Sequence, residues 1–355
     1  MGKGKTEDED YLLMFTTIKQ AYMDEADYRA NIEFKNLCKY GIKPLDDALL
    51  AIAPKELIVI AAGSGIGKTE ISLMISKAAV AAGKKVAHYN LEGGSCEAVQ
   101  RLKWQYMCQV YYDEYKDEGI EMDYRRWVLN ASPHPLFMKL ESLAYTKILE
   151  MSEDRLFLYD NPEGLNCRSF CESLVRLEGL RADMGADPLL RKHIKGAVGI
   201  DLIVIDHLHY FSLTKDENEN TEITEILKVI KTITEELHIP VVLVAHLRKL
   251  PRGHGVPDKE DIFGSSNIHK IANTCLILSP DHEKDDVANG IYPTFIRMAK
   301  SRQGLRPNLL INVNFNIHTR KYSDNYELYR CGPLGDVAGE ALTEMEKPSW
   351  ARGPK

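Results

Sequence analysis

Four runs constrain this chain more than anything else in it: LIVIAA at 57–62, LIVID at 202–206, VVLVA at 241–245 and CLIL at 275–278. Each is short and unbrokenly apolar, so each suits a strand buried on both faces. Strands of that kind belong to parallel sheets, whose crossover connections lay helices over both surfaces. The first crossover is legible: residues 68–82 have helical composition and are bracketed by Gly67 and Gly83. KKVAHYNLE, ending at Glu92, and DRLFLYD, at 154–160, supply two more strand candidates. NLLINVNFNIHTRKYSD behaves differently, alternating Ile311, Val313, Phe315 and Ile317 with Asn312, Asn314, Asn316 and His318. That period of two predicts a half-exposed antiparallel strand. The expected fold class is therefore α/β, with a mainly parallel central sheet flanked by helices and an antiparallel hairpin at its C-terminal edge.

Composition raises nothing against such a core. With 355 residues, 44% hydrophobic and 27% charged, the chain has the make-up of an ordinary globular protein. A net charge of -7 excludes a generally cationic binder, yet leaves room for a local basic loop on nucleic acid. No apolar run approaches the roughly 18 residues of a membrane span, and MGKGKTEDEDYL lacks the apolar core of a secretion signal. The expectation is a protein with no membrane partner, acting in the cytoplasm where it is made. The cysteines, Cys38, Cys96, Cys108, Cys167, Cys171, Cys275 and Cys331, are an odd, scattered set without paired CxxC spacing, which favours free thiols over disulfides or zinc ribbons. Three parts are expected: 1–30 as a charged start and an amphipathic helix, 31–334 as the core, and 335–355 as a tail.

AGSGIGKT, Ala62 to Thr69, joins the first strand to the first crossover helix. Glycines at 63, 65 and 67 let the backbone from Gly63 through Ser64, Gly65, Ile66 and Gly67 turn its N–H groups onto phosphate oxygens. The helix start adds its dipole, Lys68 pairs with the β/γ-phosphates, and Thr69 reaches Mg²⁺. The pattern expects glycine where Ala62 stands, but the flanking strand and helix supply the required context. Asp206 ends LIVID, where a carboxylate at the sheet's C-terminal edge can hold the magnesium shell. Glu92, in NLEGG, is by itself either a water-polarising base or a surface acid, and His246, ending VVLVAH, is by itself either a phosphate reader or a satisfied histidine.

Taken in order, AGSGIGKT, NLEGG, LIVIDHL, VVLVAHLRK, DIFGSSNIHKIAN and MAKSRQG resemble the motifs of the RecA-fold ATPase domain of DnaB-type replicative helicases, most closely the Twinkle and phage-type hexameric members. The resemblance runs from about Gly41 to Asp324. It implies a RecA-like P-loop core that uses ATP or another NTP with Mg²⁺. It also implies Glu92 as general base, Asp206 as the magnesium-shell acid, and His246 as γ-phosphate sensor where bacterial members usually have glutamine. Lys300 and Arg302 become an arginine-finger pair serving a neighbouring subunit. Phe315 aligns with an aromatic that stacks on the base, although in an alternating strand it is as well a core residue.

The resemblance places the segment Arg248–Lys270 in a central channel gripping single-stranded DNA, with Arg248, Lys249, Arg252, Phe263, Gly264 and Ser265 as contacts. Five cations against three acids there suit a sequence-independent hold on phosphates; a mobile surface loop is the plainer reading. Tyr11–Ala30, with Leu12, Phe15, Ile18, Tyr22 and Ala26 at helical spacing, resembles a linker helix that packs on the adjacent subunit, or else folds back on its own core. Only about 40 residues precede the motor, where full replicative helicases carry a further domain. The implied function is an ATP-driven homo-oligomeric motor, a hexamer by resemblance, that translocates on single-stranded DNA and unwinds duplex, with other replication proteins as partners. The alternatives are a RecA-fold recombination or regulatory ATPase that binds DNA or protein without unwinding, and a protein that uses ATP only to assemble.

Overall fold

The computed structural model describes residues 16–131, 134–152, 154–160, 164–177, 199–211, 219–249, 255–264, 267–281, 285–302, 309–332, 335–337 and 339–352. It divides into two compact units, Met1–Leu37 and Cys38–Lys355. In the first, helix α1 (Ile18–Asn31) is capped by Thr17, whose side chain accepts from the Gln20 N–H at 3.1 Å. Ile18 and Tyr22 of the expected apolar stripe are exposed, and Leu12 and Phe15 lie outside the described residues.

The second unit is built on one nine-stranded sheet in the order β3-β2-β4-β5-β1-β6-β7-β8-β9. The strands are β1 (Leu57–Ala62), β2 (Val86–Asn90), β3 (Leu156–Leu158), β4 (Leu202–Asp206), β5 (Val241–His246), β6 (Thr274–Pro280), β7 (Ile291–Ser301), β8 (Leu309–Asn316) and β9 (Lys321–Arg330). The pairs β3-β2, β2-β4, β4-β5, β5-β1 and β1-β6 are parallel, as the apolar runs predict; β6-β7, β7-β8 and β8-β9 are antiparallel.

Burial on both faces is visible along β1. Leu57, Val59 and Ala61 belong to one apolar core and Ile58, Ile60 and Ala62 to the other. The first core is covered by α7 (Cys167–Leu177) and α8 (Glu219–Glu236), through Phe170, Leu174, Ile226, Leu227 and Ile230. The second is covered by α2 (Lys43–Leu49) and α3 (Lys68–Ala81), through Leu45, Ile71, Ile75 and Ala79. Beside it, α4 (Gly94–Val110), α5 (Tyr124–Val128) and α6 (Pro135–Ser152) enclose a satellite core around Trp104, Met107 and Leu140.

Two expectations need correction. The second strand stops at Asn90 rather than Glu92: the Leu91 N–H donates the last ladder bond, to the Asp206 carbonyl at 2.6 Å, and the chain then turns into α4. The expected C-terminal edge hairpin is β8–β9, and β7, lying between β6 and β8, extends the antiparallel part to three strands. The second face of β8 is more enclosed than its alternation suggests, because Leu310 packs there with Val256, Phe295 and Tyr329. Asn312 is buried with its amide donating to Asp281 at 2.9 Å, and Ile317 sits exposed in the following turn.

Candidate nucleotide site

Parallel strands bring all their carboxyl ends to one edge, and there the sequence motifs converge. Ala62 pairs in register with His246, and Asn90 with Asp206, so four adjacent strands deliver the glycine loop, the Glu92 turn, Asp206 and His246 side by side. Together with Phe315 of β8 and Ile317 and Arg320 from the β8–β9 connection, Ser64, Gly65, Gly67, Lys68, Thr69, Glu92 and His246 line a cavity of about 400 Å³.

The loop takes the shape that its glycines permit. Gly65 and Gly67 have φ of 79° and 82°, and a Cβ at Gly67 would stand 2.8 Å from the Tyr322 hydroxyl. Tyr322 in turn donates to the Ile66 carbonyl at 3.0 Å, pinning the loop from behind. Helix α3 starts immediately after it, leaving its first N–H groups directed at the cavity.

Lys68 is nearly buried and donates to the Gly63 carbonyl at 2.8 Å. Burial lowers its pKa, an effect opposed by Glu92 and Asp206. It also lies 3.1 Å from His246 Nδ1. An ammonium can only donate, so Nδ1 accepts and the neutral ring carries its proton on Nε2. Burial and the Lys68 charge both hold that imidazole below its ordinary pKa.

Asp206 is fully buried, and burial pushes its carboxyl up to about 6; hydrogen bonds from Thr69 and Ser72 oppose the rise, and Glu92 adds to it. Ser72 Oγ lies 3.1 Å from Oδ2, whereas Oδ1 has no hydrogen-bond partner. A buried, unpaired carboxylate oxygen beside a threonine hydroxyl is the donor set that a hard divalent cation takes, so Thr69 and Asp206 fit Mg²⁺.

Sequence reading did not find the ionic cluster at the cavity's far wall. Glu70, next after Thr69, is buried and holds three donors: Arg101, Arg320 at 2.8 Å and Gln105 at 3.0 Å. Arg101 also pairs with Glu97, and the Arg320 guanidinium lies 4.0 Å over the Tyr124 ring. Nor did it find His207, fully buried, whose ring meets His246 at 4.2 Å and whose pKa is pushed down to about 3, first by burial and then by the neighbouring histidines.

The remaining named residues are placed as follows. Phe315 lines the cavity but is mostly buried, its ring centroid 4.9 Å from that of Tyr322. Lys300 and Arg302, at the end of β7, do not line it. Lys300 Nζ donates to the Ala272 carbonyl at 2.7 Å and Arg302 to that of Lys270 at 3.2 Å, at the end of α9 (Ile268–Ile271). Arg248 and Lys249 are exposed beyond β5. Phe263 is partly exposed, and its N–H donates to the His246 carbonyl at 2.8 Å. His209 Nε2 donates to the Phe263 carbonyl at 3.2 Å. Arg252 and Ser265 lie outside the described residues. All seven cysteines are free, and no described helix is long and apolar enough to cross a membrane.

Comparison with known proteins bears on the fold and the family. The family model described as an AAA domain matches residues 42–252, and that of the DnaB-like helicase C-terminal domain matches residues 186–324. The replicative DNA helicase DnaB of Haemophilus influenzae is 24% identical over 300 residues, covering 81% of this chain and 57% of that protein. That of Leifsonia xyli subsp. xyli is 22% identical over 290 residues, covering 80% and 55%. A probable plasmid replicative DNA helicase of Chlamydia psittaci is 24% identical over 310 residues, covering 85% and 59%. The chain thus spans little more than half the length of these relatives. Among solved structures, one described as an ATPase domain superposes with a TM-score of 0.65 at 16% identity, covering 87% of this chain and 98% of that one. A DnaB-like replicative helicase, described with its interactions with primase, superposes with a TM-score of 0.64 at 15% identity, covering 87% and 67%. These likenesses give the fold as that of the RecA-like DnaB helicase domains, and the chain, matched over more than half its length, belongs to the AAA domain family and resembles the DnaB-type replicative helicases.

Proposed function

We propose that this chain is an ATP-hydrolysing DNA helicase motor, acting in replication as a head-to-tail homo-oligomer on single-stranded DNA. One observation carries the reading: Lys68, Thr69, Glu92 and His246 line a cavity of about 400 Å³ at the carboxyl edge of four adjacent parallel strands, with Asp206 buried beside Thr69. Lys68 and the N–H groups of the loop and helix start bind the phosphates of ATP, the nucleotide proposed over other NTPs. Glu92 accepts a proton from water, whose oxygen attacks the γ-phosphorus as the bond to the β-phosphate oxygen breaks and ADP leaves. Neutral His246 donates from Nε2 to the transferring group. Thr69 and Asp206 would hold Mg²⁺, which when bound neutralises charge on the phosphates. Phe315 contributes its ring to the base.

Lys300 and Arg302 are absent from the lining of their own cavity, which supports a role in a neighbour's. The exposed Arg248 and Lys249, with Phe263 and Gly264, make the DNA contact, and Arg252 and Ser265 are assigned to it from sequence. The replicative helicase named above is described as interacting with primase; a primase or similar replication protein is the partner class proposed here.

The test separates binding from chemistry. Lys68→Ala should abolish nucleotide binding in a titration with fluorescent ATP. Glu92→Gln should bind within a few-fold of wild type yet lose at least about 100-fold in turnover, because a general base contributes in that range. Wild-type turnover in the Glu92 variant removes it as the base.

A further inference from the structure

His207 is the least explained polar residue near the site. It is fully buried, yet neither ring nitrogen has a hydrogen-bond partner, and a buried group in that condition calls for a reason. Its place is fixed on several sides. The ring packs edge-on against His246 at 4.2 Å and against Tyr210 at 4.7 Å. Its backbone carbonyl accepts from the Tyr210 N–H at 3.1 Å, and the carbonyl just before it, that of Asp206, holds Leu91 at 2.6 Å. The second bond ties the turn carrying Glu92 to the strand end carrying His207. Across this junction His207 Nε2 stands 3.5 Å from Glu92 Oε2.

We propose that His207 is the positioning residue for the catalytic base. Its Nε2–H donates to Glu92 Oε2 and holds the carboxylate in one orientation, which leaves Oε1 to the attacking water. This rests on the reading of Glu92 as base. Glu92 needs such a support: it sits exposed in a turn rather than on a strand, so its own backbone does little to hold its side chain. A separation of 3.5 Å is long for a hydrogen bond, but catalytic contacts commonly tighten when substrate closes the site. The clamped ring means that only the carboxylate has to move.

Three substitutions test it. His207→Phe keeps the ring's shape without the donor, His207→Gln places an amide N–H near the position of Nε2, and His207→Asn reaches only as far as Nδ1. The prediction for His207→Phe is a kcat lower by roughly 10- to 100-fold, the size seen when a supporting hydrogen bond is removed, with nucleotide Kd within about twofold of wild type. His207→Gln should recover most of the loss and His207→Asn little of it. In a Glu92→Gln background, His207→Phe should cost nothing further, because the group it positions is gone. Equal losses in the Gln and Asn variants, a Kd that weakens in step with kcat, or a full further loss in the Glu92→Gln background would each overturn the positioning role while leaving Glu92 as base. Full turnover in Glu92→Gln alone would remove the base and this proposal with it. Should His207→Phe fail to fold in urea titrations, the ranking of Gln above Asn still decides.

Discussion

His88 illustrates how burial writes a pH dependence into a single side chain. It lies inside β2 with Nδ1 2.8 Å from Ser76 Oγ and Nε2 unpaired, and burial lowers its pKa from 6.5 to about 4. The unfolded chain takes up this proton near pH 6.5 and the folded one only near pH 4, so stability falls as pH drops through that window and falls no further below it. The loss from this one group amounts to about 2 kcal/mol by pH 5. Urea unfolding at pH 7.5 and pH 5 should therefore show a smaller acid-induced decline in His88→Gln than in wild type; parallel declines would contradict it. The same scale marks the limit of what residues reveal in sequence. Lys68, Thr69, Glu92, Asp206 and His246 could be named because each sits in a spaced motif or closes an apolar run. Glu70 could not, since its partners Arg101 and Arg320 are 31 and 250 residues away in sequence and no local pattern connects them. His207 was in view within LIVIDHL, but its approach to Glu92 depends on the β2–β4 register.

Among elements, the parallel strands were legible because burial on both faces leaves an unmistakable apolar run, and strand β7 was not, because YPTFIRMAK mixes a proline, an arginine and a lysine into it. Those polar groups are satisfied by tertiary contacts: Arg297 donates to the Val256 and Pro257 carbonyls at 2.9 and 3.1 Å, and Lys300 to the carbonyls near α9. The segment after β5 is likewise shaped by pairing that sequence does not announce. Leu247 bridges Ile262, Arg248 N–H donates to the Asp261 carbonyl at 2.8 Å, and Phe263 N–H to that of His246. Strand β5, carrying His246, the proposed phosphate reader, is thereby stitched to the start of the proposed DNA contact. Gly264 follows Phe263 with φ of 106°, where a Cβ would stand 2.7 Å from Ile223 Cδ1. The Ile223 methyl can turn away but the backbone angle cannot, so Gly264→Ala should cost about 1–3 kcal/mol in urea unfolding, and adding Ile223→Ala should not restore it. Unchanged stability would mean that the backbone there is free to adopt another conformation.

At the scale of the molecule, six parallel strands place the nucleotide residues on one edge while the antiparallel extension carries Lys300 and Arg302 away from them. The proposed finger pair, absent from the lining of its own cavity, serves catalysis only in a head-to-tail assembly, since a two-fold dimer presents matching surfaces and cannot pass one finger to each successive pocket. Mixing inactive Arg302→Ala with inactive Lys68→Ala subunits should therefore restore part of the ATP turnover, because a Lys68 variant donates an intact finger to an intact neighbouring pocket; full turnover by Arg302→Ala alone would end the shared-site reading. Assembly was also the scale least legible from sequence, because closure depends on surface geometry between copies rather than on any motif. The central claim, a motor that converts ATP hydrolysis into strand separation, is tested most directly by incubating the purified chain with a forked duplex bearing a single-stranded tail. Strand separation that requires ATP and disappears in Glu92→Gln is the predicted result; brisk ATP turnover on the same substrate with both strands still paired would contradict it.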